Sequence, residues 1–327
     1  MHAGRLRQRD DHDHHGDIPA GRGRRCMVSR AAMVYKGATG AVAAYEAKTA
    51  EYDAHCPADA RDARCHWALA AVVAAGCAAL IVLPNVYRVH LLYDRYRDAG
   101  LVAFFVLMYV QNATMCVTEL QFVVYCLGLC LKFCQINGEM SAIRSDTIAA
   151  NRYPAVLMSP CSPPGAATGR PPSADSVERL KLRHQFVSDS VGDLNALYGF
   201  QLGASLSALF VMALFDIYAV VSGVVETAKG YLFFYAWVFQ YAFRFTVIVI
   251  TTHVTTKQAL KSKILITDIN SRLTDKNTKE ELQLFLQELS SRSVNFTTLD
   301  MFIINIRLIT SAIVTGTTYL VILFQFQ

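Results

Sequence analysis

AGLVAFFVLMYVQNATMCVT, residues Ala99 to Thr118, contains no Asp, Glu, Lys or Arg. A run of about 20 apolar residues, rising about 1.5 Å each, spans the roughly 30 Å hydrocarbon core of a bilayer. No water reaches backbone N–H and C=O groups there, so such a segment must be helical. Apolar character resumes after Glu119 and runs to Leu131, so this span overshoots the membrane. Leu308 to Gln327 is a second uncharged run. Working outward from these two, five spans are predicted: His66–Tyr87, Gly100–Leu131, Leu197–Val225, Tyr231–Thr252 and Phe302–Phe326. The hydrophobic content of 53% alone is near the soluble norm. Clustering decides the class: an all-α membrane protein, a bundle of about five transmembrane helices with cytoplasmic helical extensions.

The net charge of +5 matters less than its placement. Lys132, Arg144, Arg152, Arg170, Arg179, Lys181 and Arg183 follow the second span. Lys257, Lys261, Lys263, Arg272, Lys276, Lys279 and Arg292 separate the fourth from the fifth. The positive-inside rule puts the N-terminus and both long connections in the cytoplasm and the C-terminus outside.

Residues 1–65 are polar and rich in Ala, Arg and Asp, and are expected to be disordered. Residues 66–140 hold the first two spans. Residues 141–176, with Pro160, Pro163, Pro164, Pro171 and Pro172, read as a flexible cytoplasmic loop. Residues 177–252 form a charged helix running into the next two spans. Residues 253–301 form a cytoplasmic helical region whose Glu280–Leu289 stretch is apolar on one face. Residues 302–327 are the final span, with an internal break expected at Thr315-Gly316-Thr317-Thr318. Cys126, Cys130 and Cys134 share a helical face and read as a packed stripe. No metal or cofactor is expected. Arg244 is an intramembrane charge at a depth between Asp216 and Glu119, and a structural ion pair with Glu119 is expected.

The half-span after the break reads Thr318-Tyr319, five hydrophobic residues Leu320 to Phe324, then Gln325-Phe326. Four fixed positions around an apolar filler match the signature that closes insect gustatory receptors. Thr118-Glu-Leu-Gln-Phe122, running on to Lys132-Phe-Cys-Gln-Ile-Asn137, resembles the same family. The order of spans and loops from about Leu69 to Gln327 is similar to that family's C-terminal two-thirds. Its members have seven spans. The five here align with the third to seventh, so the sequence reads as a fragment or a shortened product.

The resemblance implies a multi-pass plasma-membrane receptor, a tastant-gated cation channel acting in taste as a homo- or heterotetramer with other gustatory receptors. Its partners would be a sugar or bitter small molecule, permeant cations and membrane lipid, with no nucleic acid. It makes Thr318, Ile322, Gln325 and Phe326 the expected pore-lining residues. Residues seven apart share a helical face, as Thr318 and Gln325 do, and a ring of Gln325 amides would offer dipoles to cations. Apart from the resemblance, amides and aromatics at that depth equally suit packing at a membrane interface. A ligand pocket is expected among Gln111, Asn112, Thr114, Asp216, Tyr218, Trp237, Gln240 and Tyr241, and each alone also suits interhelical hydrogen bonding.

Other readings are an insect odorant receptor-type channel and a non-conducting accessory subunit. An enzyme is not expected, because no span carries a His/Asp/Glu cluster and no Gly-rich phosphate loop occurs. A transporter would show an internal inverted repeat, and none is seen.

Overall fold

A computed structural model describes residues 37–56, 60–96, 99–152, 173–223, 228–272, 276–298 and 302–325. Among the described residues, seven helices and one short hairpin occur in the order α1 Gly37–His55, α2 Ala60–Tyr96, α3 Ala99–Arg152, α4 Ala174–Val221, α5 Ala228–Arg272, α6 Lys276–Ser291, β1 Thr297–Thr298, β2 Phe302–Ile303 and α7 Arg307–Gln325. The chain divides into two units, Met1–Ala44 and Tyr45–Gln327. The first is described only as the opening turns of α1. Every contact below lies within the second.

Five helices, α2 to α5 and α7, are long and apolar enough to cross a membrane. Three of them run far past it. α3, α4 and α5 are 54, 48 and 45 residues long, against the roughly 20 that a bilayer needs. Their buried positions explain why they continue. On α3, Glu119, Cys126, Phe133, Met140 and Thr147 recur at intervals of seven, with Phe122, Leu129 and Ile136 between them. On α4 the series is Val177, His184, Val191, Tyr198 and Ser205; on α5 it is Tyr241, Ile248, Thr255, Ser262 and Ile269. A strict seven-residue repeat keeps one seam facing its neighbours over many turns. The same seam therefore carries each helix from lipid into water. α3 packs most extensively on α5. Their register is pinned by Asn137, which donates to the Gln258 carbonyl at 2.9 Å and accepts from the Ser262 hydroxyl at 2.7 Å.

Smaller elements pack on the extended ends of these helices. α6 inserts Thr278, Leu282 and Phe285 against α4 and α5. The β1–β2 hairpin pairs Thr297 with Ile303 and Thr298 with Phe302. Asn195 of α4 brackets it, donating to the Asn295 carbonyl and accepting from the Thr297 N–H. α4 stops at Ser222-Gly223, where Gly223 takes φ 73° and the Ser222 N–H bonds back to the Tyr218 carbonyl.

Four sequence expectations are corrected. Residues 37–55 are helical and α2 starts at Ala60, whereas 1–65 was expected to be disordered. Tyr45 and Tyr52, seven apart in an Ala-rich stretch, dock against Tyr125 and Phe186 with ring centroids 5.2 and 5.0 Å away. Burial pushes both tyrosine hydroxyls above their ordinary pKa. The loop expected from 141 begins later, since α3 continues to Arg152. Residues 1–36 and 153–172 lie outside the described residues. The final span begins at Arg307 rather than Phe302, because Phe302–Ile303 is a strand, and α7 shows no break. The Thr317 and Thr318 hydroxyls bond back to the Ile313 and Val314 carbonyls at 2.8 and 2.9 Å, so these residues satisfy themselves within a continuous helix.

α7 is held lightly. Gly316 is its one buried residue among those described. A Cβ there would meet Leu214 Cδ2 at 3.2 Å and Phe210 Cε2 at 3.5 Å. Gly316→Ala is expected to be tolerated by a small shift of the Leu214 methyl, whereas Gly316→Leu overpacks the contact at a cost of about 1–3 kcal/mol. Thermal melting of detergent-solubilised protein would read this; identical melting of wild type and G316L would mean that α7 does not pack there.

Candidate functional site

Two polar assemblies occupy the membrane-spanning part of α2 to α5. The deeper one centres on Arg244 of α5, whose side chain is 3% exposed. It donates from Nε to Glu119 Oε2 at 2.7 Å, from Nη2 to Glu119 Oε1 at 2.8 Å and from Nη1 to Asn112 Oδ1 at 2.7 Å. The Ser205 hydroxyl donates to the same carboxylate, and one turn away Gln201 donates to the Thr118 hydroxyl at 2.8 Å. Glu119 and Arg244 are thus brought together, with α4 joined through Ser205. Cys77 of α2 and Cys116 of α3 line the small pit beside the pair. A bidentate Arg–carboxylate bond with each remaining oxygen engaged is the arrangement that makes a buried charge tolerable.

The second assembly is different because its polar groups lack partners. It lies on the residues preceding Arg244 on α5, with contributions from four helices. Phe233, Trp237 and Tyr241 form an i, i+4, i+8 aromatic ladder on α5, with centroid spacings of 4.9 and 6.3 Å. Phe105 and Tyr109 stack on α3, and Tyr109 meets Trp237 edge-on at 6.1 Å. Arg88 of α2 places its Cζ 4.7 Å from the Phe233 ring, 4.7 Å from Trp237 and 5.6 Å from Phe105. Asp216 of α4 is buried within electrostatic range of Arg88 and Tyr241. Both amide atoms of Asn85 and of Gln240, the Tyr109 hydroxyl, Trp237 Nε1 and Asp216 Oδ2 are buried without a hydrogen-bond partner. Asn85 and Tyr109 also face an apolar groove of about 340 Å³ between α2 and α3. Buried polar groups are ordinarily paired, and each unpaired one costs about 1–3 kcal/mol. Asn85, Tyr109, Asp216, Trp237 and Gln240 are therefore the positions in this part of the bundle that are open to an added polar partner.

Of the pocket residues expected from the sequence, Trp237 and Tyr241 are in ring contact, Asp216 lies within electrostatic range of Tyr241, and Gln240 is buried on the same helix. Asn112 is instead committed to Arg244. Gln111 and Thr114 are exposed on the outside of α3, where the Thr114 hydroxyl bonds back to the Val110 carbonyl at 2.9 Å. Tyr218 meets Phe324 of α7 at 6.1 Å between rings. Asn85, Arg88 and Tyr109 were not singled out. A signal existed, since Asn85 and Arg88 stand one turn apart in an apolar helix, directly after Pro84.

Beneath α7 lie two further cavities of about 340 and 360 Å³. Their walls are almost wholly apolar, and Phe210, Phe245 and Ala312 border both. Tyr241 lines the first together with Gly316, Thr317 and Leu320, so one residue joins the aromatic ladder to the terminal helix. Thr318, Ile322 and Gln325 lie about 200°, 240° and 180° round α7 from Gly316, at about 100° per residue. All three are exposed. Phe326 lies outside the described residues.

With this geometry in place, the comparisons are direct. Residues 66–327 match the family model of the 7tm chemosensory receptors, and the chain belongs to that family. It is a multi-pass protein of the plasma membrane. No curated protein sequence matches it. Among solved structures, the insect olfactory receptor OR5 from Machilis hrabei is similar, with a TM-score of 0.50 and 11% identity over 87% of this chain and 70% of that one. At that identity the likeness concerns the fold, a bundle of the chemoreceptor type.

Removing one member of the Glu119–Arg244 pair strands the other in a water-free interior, at a cost of about 3–5 kcal/mol. Glu119→Gln and Arg244→Met should each lose surface expression and melt lower. The double variant should recover part of both losses. Additive losses in the double variant would show that the two residues do not stabilise the bundle as a pair.

Proposed function

We propose that this chain is a gustatory-type chemoreceptor subunit, a ligand-gated cation channel whose terminal helix lines the pore. The observation that carries the reading is the state of α7: an apolar helix held to its own bundle at Gly316, with Thr318, Ile322 and Gln325 on the opposite face. A helix that leaves this face unpartnered suits a site shared among several copies, and a tetramer closes such faces around an axis. The Thr318-Tyr319…Gln325-Phe326 ending supports the gustatory over the odorant assignment. In the assembled pore, Gln325 amides would face permeant cations and Ile322 would form the apolar constriction.

The ligand, a small tastant, would enter the recess formed by Asn85, Arg88, Tyr109, Asp216, Trp237, Gln240 and Tyr241. Aromatic walls with a few convergent polar groups are the usual composition of a small-molecule site. Tyr241 would pass the consequence of binding to α7 across the cavity it lines. The distribution of Lys and Arg supports an N-terminal side and helical extensions in the cytoplasm, with the C-terminus outside. No enzymatic role is proposed.

Single cysteines test the pore. Co-expressed with a full-length gustatory receptor, Thr318→Cys, Ile322→Cys and Gln325→Cys channels should lose more than about half their current to a charged methanethiosulfonate reagent, since a fixed charge in a narrow path blocks ions. Ile313→Cys, on the flank lining the cavity beneath α7, should be unaffected. Equal insensitivity of all four positions would favour a non-conducting accessory subunit.

A further inference from the structure

The groove between α2 and α3 has aliphatic walls and an unpaired amide on its floor. Val82, Val86 and Val89 of α2 and Val106 and Val110 of α3 line it, around about 340 Å³. Two polar side chains line the same groove, and both lack a hydrogen-bond partner. Asn85 is 6% exposed, with neither Nδ2 nor Oδ1 engaged, and the Tyr109 hydroxyl is likewise unpaired. Val82, Val86 and Val110 are each more than half exposed, so the valines form the rim and Asn85 the floor. A buried amide that lacks both a donor and an acceptor partner is costly, and the groove leads to it.

Each class of ligand fares differently here. No charged residue lines the groove among the described residues, so a carboxylate or an ammonium would lie there without a counter-ion, at a high cost in desolvation. A sugar would bring more hydroxyls than two side chains can satisfy, and the valines would satisfy none. An ester or an ether only accepts, which leaves Asn85 Oδ1 unserved. A carboxamide serves both atoms of Asn85: its N–H donates to Oδ1 while its carbonyl accepts from Nδ2, two parallel bonds along one edge. The second lone pair of that carbonyl remains for a hydroxyl such as that of Tyr109. At about 340 Å³ the groove is at the small end of the roughly 300–1,000 Å³ usual for ligand pockets, which suits a single-chain molecule better than a two-chain membrane lipid. We propose that the groove binds a small uncharged aliphatic carboxamide, its head paired with the Asn85 amide and its chain laid along the rim valines. The proposal rests on the reading above that this part of the bundle takes the ligand, and it selects an apolar tastant over a sugar.

A probe independent of channel activity is built in. Trp237 meets the Tyr109 ring edge-on at 6.1 Å, and the sequence contains one other tryptophan, Trp67. In a Trp67→Phe background, the purified protein is titrated with octanamide in phosphatidylcholine nanodiscs, whose lipid carries no amide. Trp237 emission should change saturably. Octanoate, octylamine, methyl octanoate and fructose should each bind at least about tenfold more weakly, the equivalent of one or more lost hydrogen bonds. Asn85→Leu should weaken octanamide by about tenfold yet leave methyl octanoate bound as well or better, an opposite pair of effects that misfolding does not produce. Val110→Phe, which fills the groove, should abolish the response to both. Octanoate or fructose binding as tightly as octanamide, with Asn85→Leu without effect and Val110→Phe still blocking, would overturn the carboxamide while leaving the groove as the ligand site. An octanamide response untouched by Val110→Phe would place the ligand outside the groove and overturn the proposal alone. Loss of the response on co-assembly with a full-length gustatory receptor would make a helix of that partner the occupant, and would also overturn it. Silence of Trp237 toward every probe at about 10 mM, tenfold above a weak Kd of about 1 mM, would overturn both the carboxamide and the reading of this part of the bundle as the ligand site.

Discussion

A guanidinium inside a bilayer must have an anion beside it, and the need of Arg244 for Glu119 governs the arrangement of everything around it. Insertion of one charge at the centre of a span costs several kcal/mol. The bidentate bond from α5 to α3, with Ser205 added from α4 and Asn112 from the preceding turns of α3, offsets that cost through geometry that tolerates no slippage. A shift of one residue along α5 would carry Arg244 about 100° round the helix, away from the carboxylate and into lipid. The pair therefore fixes both the rotation and the height of α3 against α5.

Once that register is set, the seven-residue seams do the rest. Past the pair, Cys126, Phe133 and Met140 of α3 and Ile248, Ala259, Ile266 and Ile269 of α5 are all buried, without change of rule between lipid and water. Asn137 and Ser262 repeat farther along the two helices what Arg244 and Glu119 do in the membrane, a polar contact that only one alignment can satisfy. Above the pair the seam opens, and the aromatic ladder of α5 faces Arg88 and Asp216 instead of an apolar neighbour. One set of helices thus presents a locked segment and an open one, separated by a single charge pair.

Much of this was legible in the sequence. Spans could be placed because lipid imposes one rule on every residue of a segment, and Arg244 could be matched to Glu119 because so few charges lie at that depth. The helix Gly37–His55 was not legible, since its burial depends on Tyr45 and Tyr52, two residues in a stretch otherwise typical of solvated chain. The recess was half legible. Asp216, Trp237, Gln240 and Tyr241 stand out as polar or aromatic groups within spans. Arg88 looked like an ordinary charge near a span end, and only the approach of Phe105, Phe233 and Trp237 from two other helices makes it part of a site. Asn112 shows the opposite failure, a pocket candidate by type that the Arg244 side chain had already claimed. The Thr315–Thr318 segment reads as a weak point in one dimension, but its hydroxyls return to their own helix and keep α7 whole.

The locked and the open segments explain each other. A ligand changes a conformational balance only by the difference in its affinity for two states. That difference is largest where groups are unsatisfied in one state and satisfied in the other, and Gln240, Asp216 and Trp237 all carry buried polar atoms without a partner. The response is largest where an element is held by few contacts, as α7 is at Gly316. Between the two stands Tyr241, which borders the recess on one side and the cavity under α7 on the other, one turn from Arg244. The ion pair holds α5 in place just beyond it, so a ligand bound as proposed would act on the side chains of Trp237 and Tyr241 rather than on the register of the whole helix. A light terminal helix, a set of unsatisfied buried groups and a fixed charge pair between α3 and α5 are then three parts of one physical arrangement, in which rigidity at Arg244 would direct a small local change toward the lightly held α7.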